Sequence, residues 1–326
     1  MVEWGEVAVI VSLIPRPDFG PVPRVEVRLI EEAFSWDAGG PDDVGPDSLD
    51  GGGASTSSAG FDAGSATTVT VDLPVGTDRV TMWRECQGRR IKVRGGVDRS
   101  FSGAVGLLDL EAGFDVPSSY EIECFAGSTS LGRVPLGSVV LPWVGDEDGC
   151  LIQQPLNPRL HAVVTDLQGA WGAVERSAPG DLVYTEGRSF PSLVGFGPRR
   201  AVEGAPAVFA APSREVASRV WATLGSEDAP QLPVWLVRSH HGLLPRVFFG
   251  RVAVLSESDI DADGEGWSQF STALDEVAPP APALVEAPLR YSDLAAVFPT
   301  YSALQAALPT YSQVNTAFEY AGAAGD

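Results

Sequence analysis

Residues 80–94 read VTMWRECQGRRIKVR. Val80, Met82 and Arg84 fall on one side of this run and Thr81, Trp83 and Glu85 on the other. That period of two is what a half-buried strand requires. Gln87-Gly88 breaks the run, and glycine supplies the positive φ that a tight hairpin turn demands. Ile91 and Val93 resume the alternation, with Lys92 and Arg94 on the opposite face, and Gly95-Gly96 closes the unit. The stretch predicts a β-hairpin at the centre of an antiparallel sandwich, with its neighbours supplying the other strands.

Upstream, residues 7–14 read as a strand, after which Pro15, Pro17, Pro21 and Pro23 enforce an extended connection. Val25, Val27 and Leu29 alternate with Glu26, Arg28 and Ile30, giving a second strand and an N-terminal portion over residues 1–36 that belongs to the first sandwich. Residues 37–66 are rich in Gly, Ser, Asp and Ala. Such a segment buries too little apolar surface to offset the entropy of ordering it, and it reads as a flexible insert. The sandwich domain continues over 67–149, with strands at 67–74, 79–86, 91–94, 103–110, 119–126 and 130–141.

A second β-rich domain is expected over residues 150–277, with strands at 161–166, 193–197, 208–210, 234–238, 247–255 and 270–277. It holds one helix, at 213–224. Ser213 caps it, Glu215 sits in its first turn, Val216, Val220 and Leu224 share a face, and Gly225 follows its end. A proline-rich linker spans 278–288. The tail, 289–326, repeats with a period of ten: YSDLAAVFPT, YSALQAALPT and YSQVNTAFEY begin at Tyr291, Tyr301 and Tyr311. Tyr at the first position, Leu294, Leu304 or Val314 at the fourth and an apolar residue at the eighth fall on one helical face, and Thr300 and Thr310 cap the following copies. Two helical turns are too short to stand alone. The helices are therefore expected to pack on each other, on the β domains or on another subunit, and the six side chains read either as a small helical appendage to the core or as an interface strip for docking.

Bulk chemistry narrows the function. The chain has 326 residues, enough for two domains, and 22 basic against 43 acidic side chains give a formal net charge of −21. That field repels phosphate backbones and anionic lipid, so neither a nucleic acid nor a membrane is an expected partner, and it also serves solubility. No apolar run is long enough to span a bilayer. Cys86, Cys124 and Cys150 are odd in number and lack CxxC spacing, so zinc is not expected. Cys86 and Cys124 fit either facing strands of one sandwich, as immunoglobulin cysteines lie, or two buried thiols.

Asp259, Asp261 and Asp263, followed by Gly264, match the first half of a calcium loop, but Phe270 occupies the position of its bidentate Glu. The same residues read as an Asp-rich turn between strands. His240-His241 read as a turn. No sequence fingerprint of a hydrolase or of nucleotide binding occurs, so an enzyme and a cofactor are not expected. Of eight tryptophans, Trp221 and Trp235 read as core, and Trp36, Trp143 and Trp267 as surface positions suited to an interface or a sugar.

The 80–94 stretch also carries a family resemblance. A strand ending in Arg, a short Gly turn and then Val93-Arg94-Gly95-Gly96 resembles the fibronectin-III-like domain of minor tail proteins from long-tailed (siphovirus) phages of actinobacteria. Asp109-Leu110-Glu111-Ala112 is similar to that family's acidic turn, Val116-Pro117-Ser118-Ser119-Tyr120 to its "P…Y" strand, and the tyrosine repeats to its tail. The resemblance spans roughly residues 20–320. Lys92 is the sole lysine, a bias that fits a GC-rich genome. The resemblance implies a mainly β fold: a fibronectin-III/Ig-like sandwich, a second β-rich domain with one helix, and a C-terminal short-helix repeat. It implies a virion component made in the host cytoplasm and built into the tail tip. The partners would be distal tail, hub or tape-measure proteins and further copies of the chain, with a possible part in host attachment. Two alternatives are a module binding host cell-wall glycan and, less favoured, a cell-wall hydrolase.

Overall fold

The computed structural model describes residues 6–17, 22–32, 65–167, 174–195, 197, 201–239, 244–260, 266–281 and 289–309, together with 314, 317, 320 and 323–324. The body of the predicted insert, His240-His241 and Thr310 lie outside the described residues.

The fold is mainly β. The first half supplies β1 (Glu6–Arg16), β2 (Arg24–Glu31), β3 (Thr67–Pro74), β4 (Arg79–Cys86), β5 (Arg89–Lys92), β6 (Arg99–Ser100), β7 (Ala104–Asp109), β8 (Pro117–Ala126) and β9 (Thr129–Val140). They form two antiparallel sheets, ordered β3-β1-β2-β7 and β5-β4-β8-β9, with β6 on β4. Alternation decides what each sheet buries. Val9, Val11 and Leu13 of β1, Val25, Val27 and Leu29 of β2, Val80 and Met82 of β4, and Tyr120, Ile122 and Cys124 of β8 share one core.

Gln87 and Gly88 both take positive φ, 51° and 72°, so a two-residue turn joins β4 to β5. The hairpin differs from expectation in place: β4 is internal, but β5 is a sheet edge. Its second strand stops at Lys92, and Arg94 turns inward and is buried, because Glu111 waits there. β1 also runs on through Pro15 instead of ending before it. The strand β3 pairs with β1 only as far as Leu13, so no neighbour on that side asks Pro15 for an N–H. Cys86 and Cys124 lie at opposite ends of β4 and β8, paired strands of one sheet, so they do not face each other across the core; both are free.

The second half closes into a barrel. Its strands are β10 (Gly149–Gln153), β11 (His161–Asp166), β14 (Ala205–Ala211), β15 (Val234–Ser239), β16 (Phe248–Asp259) and β17 (Ser268–Glu276), ordered β10-β11-β14-β17-β16-β15. Two further strands, β12 (Asp181–Val183) and β13 (Ser192–Val194), pair only with each other. The strand expected at 193–197 is therefore no part of the barrel wall. Instead β10, where the sequence predicts no strand, completes the closure.

The helix α1 (Arg214–Leu224) forms as its sequence dictates. Val216 N donates to Ser213 Oγ at 3.2 Å, and Gly225 ends the helix at φ 81°. Ala217 and Val220 enter the barrel core beside Phe209, Trp235 and Phe270. Phe209 stacks on Phe270 at 5.5 Å and meets Trp235 edge-on at 5.7 Å. Trp221, expected in the core, is 40% exposed on the outer side of α1 and donates its indole N–H to Glu257 at 2.6 Å.

Two short helices follow, α2 (Tyr291–Val297) and α3 (Tyr301–Ala307). Thr300 caps α3, its Oγ1 accepting from Ala303 N at 3.2 Å. Each helix is seven residues long, so the eighth position of the repeat, Phe298 or Leu308, is a non-helical terminal residue and does not extend the expected face. Asp293 anchors α2. It accepts from Arg290 N at 2.9 Å and from Arg159 Nη2 at 2.6 Å, and is fully buried.

Candidate functional site

The most distinctive chemistry lies where the two halves meet. Arg84 sits on the core-facing side of β4, and a guanidinium there needs a buried anion. Asp109, at the end of β7, supplies it: Arg84 Nη1 is 2.6 Å from each carboxylate oxygen. Tyr120 OH donates to the same carboxylate at 2.8 Å and the Glu111 backbone N–H at 3.0 Å. Glu111 accepts from Arg94 Nε at 2.7 Å. Arg94 reaches onward to the carbonyls of Pro280 and Ala281, at 3.0 and 2.7 Å, in the segment that follows the barrel.

The barrel returns the contact through Arg238 on β15. Its Nε donates to Ala112 O at 2.9 Å, and Nη1 donates to Pro23 O at 2.9 Å and to Leu110 O at 3.2 Å. The guanidinium lies 4.4 Å from the centre of the Phe114 ring. Gln153 on β10 adds a bond to Leu110 O at 3.3 Å. The acidic turn 109–112 is thus the keystone between the halves.

Burial sets the protonation states. It is the strongest single influence on Arg84 and opposes the charge, but Asp109, Tyr120 and Glu111 together outweigh it and raise the guanidinium above its ordinary value. Burial pulls Arg238 down to about 9, against the influence of Asp109, so it is still charged at neutral pH. Glu111 is raised by burial, with Arg94 and Arg84 opposing. Tyr120 is raised well above its ordinary value by burial and by Asp109.

A cleft of about 550 Å³ opens beside this network. Arg84, Cys86 and Ile91 of the β4–β5 hairpin line one side, and Val247, Phe249 and Val277 of the barrel the other, with Arg89 and Arg176 also on its wall. Arg89 is paired with Glu276 at 2.6 Å. Burial raises the Cys86 thiol, which keeps it neutral and poorly nucleophilic.

A second surface is the β12–β13 ribbon. Leu182 faces Leu193 across it, and Val183 and Val194 continue the same short strands, all exposed. Tyr184 and Phe190 in the connecting loop are 78% and 83% exposed.

No protein-family model matches the chain, and neither a curated protein nor a solved structure does. The functional reading therefore rests on these surfaces.

The expected interface strip is split. Tyr291 and Tyr301 are exposed, 81% and 72%. Leu294 is buried beneath α2 and unavailable to a partner, whereas Leu304 and Val314 are half-buried. Tyr311 lies outside the described residues. Of the calcium candidates, Asp259 is exposed at the end of β16, and Asp261 and Asp263 lie outside the described residues. Among the described residues, no three His, Cys, Asp or Glu side chains are grouped to hold a metal, and no helix is long and apolar enough to cross a membrane.

Trp143 is half-buried against Phe114 at 4.8 Å and its indole N–H donates to Asp146 O, so it is not an open platform. Trp267 is half-buried, and Trp36 lies outside the described residues. The junction residues carried one legible signal: Arg84 shares a face with Val80 and Met82, and a cation in that position demands a buried partner. Of the ribbon only β13 left a mark, the strand expected at 193–197, whereas β12, three residues long, left none.

Proposed function

We propose that the chain is a structural subunit of a phage tail tip, a minor tail protein that assembles with other tail proteins through exposed apolar elements carried on a rigid β body. One observation carries this reading: the β12–β13 ribbon stands outside the barrel and exposes Leu182, Val183, Tyr184, Phe190, Leu193 and Val194. A two-stranded ribbon is marginal by itself in water, and clustered exposed apolar side chains mark protein–protein contact sites. A neighbouring subunit is the occupant that would cover it. Tyr291 and Tyr301 add a second contact of the same kind.

The strand orders support the finer reading of the first half as fibronectin-III-like. Strands β1, β2 and β7 face β5, β4, β8 and β9 in the distribution such a domain uses, with β3 added at an edge. The role is packing and symmetry, with further copies of the chain and other tail proteins as partners.

The test is a Leu182→Ser, Leu193→Ser double variant, extended with Phe190→Ser. All three sites are exposed, so the soluble protein should keep its β spectrum and its unfolding midpoint within experimental error. Virions grown with this variant should lack the chain when wild-type virions contain it. Normal incorporation of the folded variant would overturn the assignment of the ribbon to assembly.

A further inference from the structure

We propose that the arm carrying β12 and β13 clasps the same arm of a second copy of this chain, face to face and antiparallel, so that two copies form a dimer. This rests on the reading of the ribbon as an assembly surface and names its occupant. The arm is built but bare. Glu203 N donates to Glu175 O at 3.1 Å and closes its root, β12 pairs with β13, and Arg188 N donates to Thr185 O at 3.2 Å in the connecting turn. Yet from 174 to 195 not one residue is buried. A standard interface takes about 20–30 residues from each side, so arm against arm is of the size a stable contact needs.

Shape points to a twin. Leu182 stands directly opposite Leu193, whereas Asp181 and Ser192 fall on the other face, so the leucine face carries no charge. Continuing the alternation by one residue puts Tyr184 and Pro191 beyond one end of the leucine pair and Gly180 and Gly195 beyond the other. The face is bulky at one end and bare at the other. Among the described residues outside its chain neighbours, only Gly180 Cα, at 4.0 Å, comes near where a Cβ on Gly195 would stand. Such a face fits itself. A two-fold axis across the strands lays Leu182 on Leu182 and Leu193 on Leu193 of the second copy, and seats each Tyr184 over the other copy's Gly180. Bulk then meets gap twice, as an isologous contact requires.

Charge allows the same pairing. The chain carries −21, so two copies repel each other over most of their surface. The arm escapes this, because Glu175, Asp181 and Glu186 stand against Arg176 and Arg188. The signs are also placed to match. An antiparallel clasp brings the tip of each arm, with Glu186 and Arg188, toward the root of the other, with Glu175 and Arg176, so each acid approaches a base. Among the described residues none of these four makes an ion pair within the chain.

The experiment is sedimentation velocity on the purified full chain over a concentration series. A dimer is expected, and the Leu182→Ser, Leu193→Ser double variant should keep its β spectrum while its dimer dissociation constant rises about tenfold or more. Single cysteines read the orientation, since Cys86, Cys124 and Cys150 are buried. Under mild oxidation Leu182→Cys should give a covalent dimer, because the two copies of that residue meet at the axis. Tyr184→Cys should not, because its two copies lie at opposite ends of the contact. A chain that stays monomeric, a dimer unchanged in the folded double variant, or cross-linking through Tyr184→Cys and not through Leu182→Cys overturns the proposal. Failure here is distinct from failure of the assembly role. A monomeric chain whose ribbon variant is still missing from virions means that a different protein covers the arm; a dimer whose ribbon variant is incorporated normally removes the assembly role and leaves the clasp.

Discussion

Trp83 and Arg84 are consecutive residues of β4, and each gathers ions of both signs. On the outer face the Trp83 ring lies under Arg90, Lys92 and Arg133, at 5.0, 5.1 and 4.9 Å. Glu121 and Glu123 of β8 sit among them, Arg133 reaching each at 3.6 Å and Arg90 pairing with Glu121. On the inner face Arg84 holds Asp109, Tyr120 joins them, and water is excluded. The partners are of the same kind; the solvent is not. Outside, charge is screened and side chains lose entropy to meet, so each pair contributes little. Inside, charges that have left water depend on each other, and removing one strands the rest. The outer lattice decorates a sheet, whereas the inner one fixes how the two halves of the chain sit.

Asp109→Asn separates the two faces most sharply. The variant leaves Arg84 buried without its counter-ion and weakens the acceptor for Tyr120 and for Glu111 N–H. A loss of about 3–5 kcal/mol is expected, the range for breaking a buried pair on one side. Urea unfolding followed by near- and far-ultraviolet circular dichroism checks it. Both halves should lose stability together, because Arg238 of the barrel is held by the carbonyls of Leu110 and Ala112 in the same turn. A loss below about 1 kcal/mol would put the inner network on the same footing as a surface pair.

Alkaline pH sharpens the contrast, because stability changes only through groups whose proton affinity differs between the folded and unfolded chain, and burial makes that difference. Burial raises Cys86, Cys124 and Cys150 above the ordinary thiol value of 9.0, and Tyr120 above 10.0, where Asp109 adds to the effect. The folded chain therefore holds these protons more tightly than the unfolded chain. Their contribution to stability is complete below about pH 9 and declines as pH rises through the unfolded values toward the folded ones, while Arg238, lowered to about 9, works the other way, because the penalty for burying its charge is relieved as pH rises past that value. Each thiol, and the phenol, removes about 1.4 kcal/mol per pH unit within its window. Urea midpoints measured from pH 8 to 11 should fall, and Tyr120→Phe should flatten the slope above pH 10. An unchanged slope in that variant would remove Tyr120 from the account.

Much of the β architecture was legible because alternation is a local signal. Val80, Met82 and Arg84 announced the inner face of β4, and Ser213 with Gly225 bracketed α1 within a residue. What was hidden depends on contacts distant in sequence. β10 is buried throughout and shows no alternation, so Gly149–Gln153 carries no strand signal of its own until β15 is known to lie beside it. The Tyr repeats were legible as helices, but not the division of labour within them. Leu294 is buried because Asp293 ties α2 to Arg159, a link across more than a hundred residues. The cleft was invisible for the same reason: Arg84 and Phe249 come from different halves and meet only after the barrel has closed.

The smallest effect is expected at Arg133. Its guanidinium touches Trp83, Glu121 and Glu123, three partners that on paper resemble those of Arg84. Its side chain is 41% exposed, however, and those of Glu121 and Glu123 are 31% and 19% exposed, so water can take its place when it is removed. Lys92 and Arg90 still cover the indole ring. Arg133→Ala should therefore cost less than about 1 kcal/mol in urea unfolding, and less still at high salt, where screening removes most of an exposed pair. A loss several times larger, unchanged by salt, would mean that the outer lattice is dry enough to act as the inner one does. The two faces of β4 would then differ in side chains but not in physics.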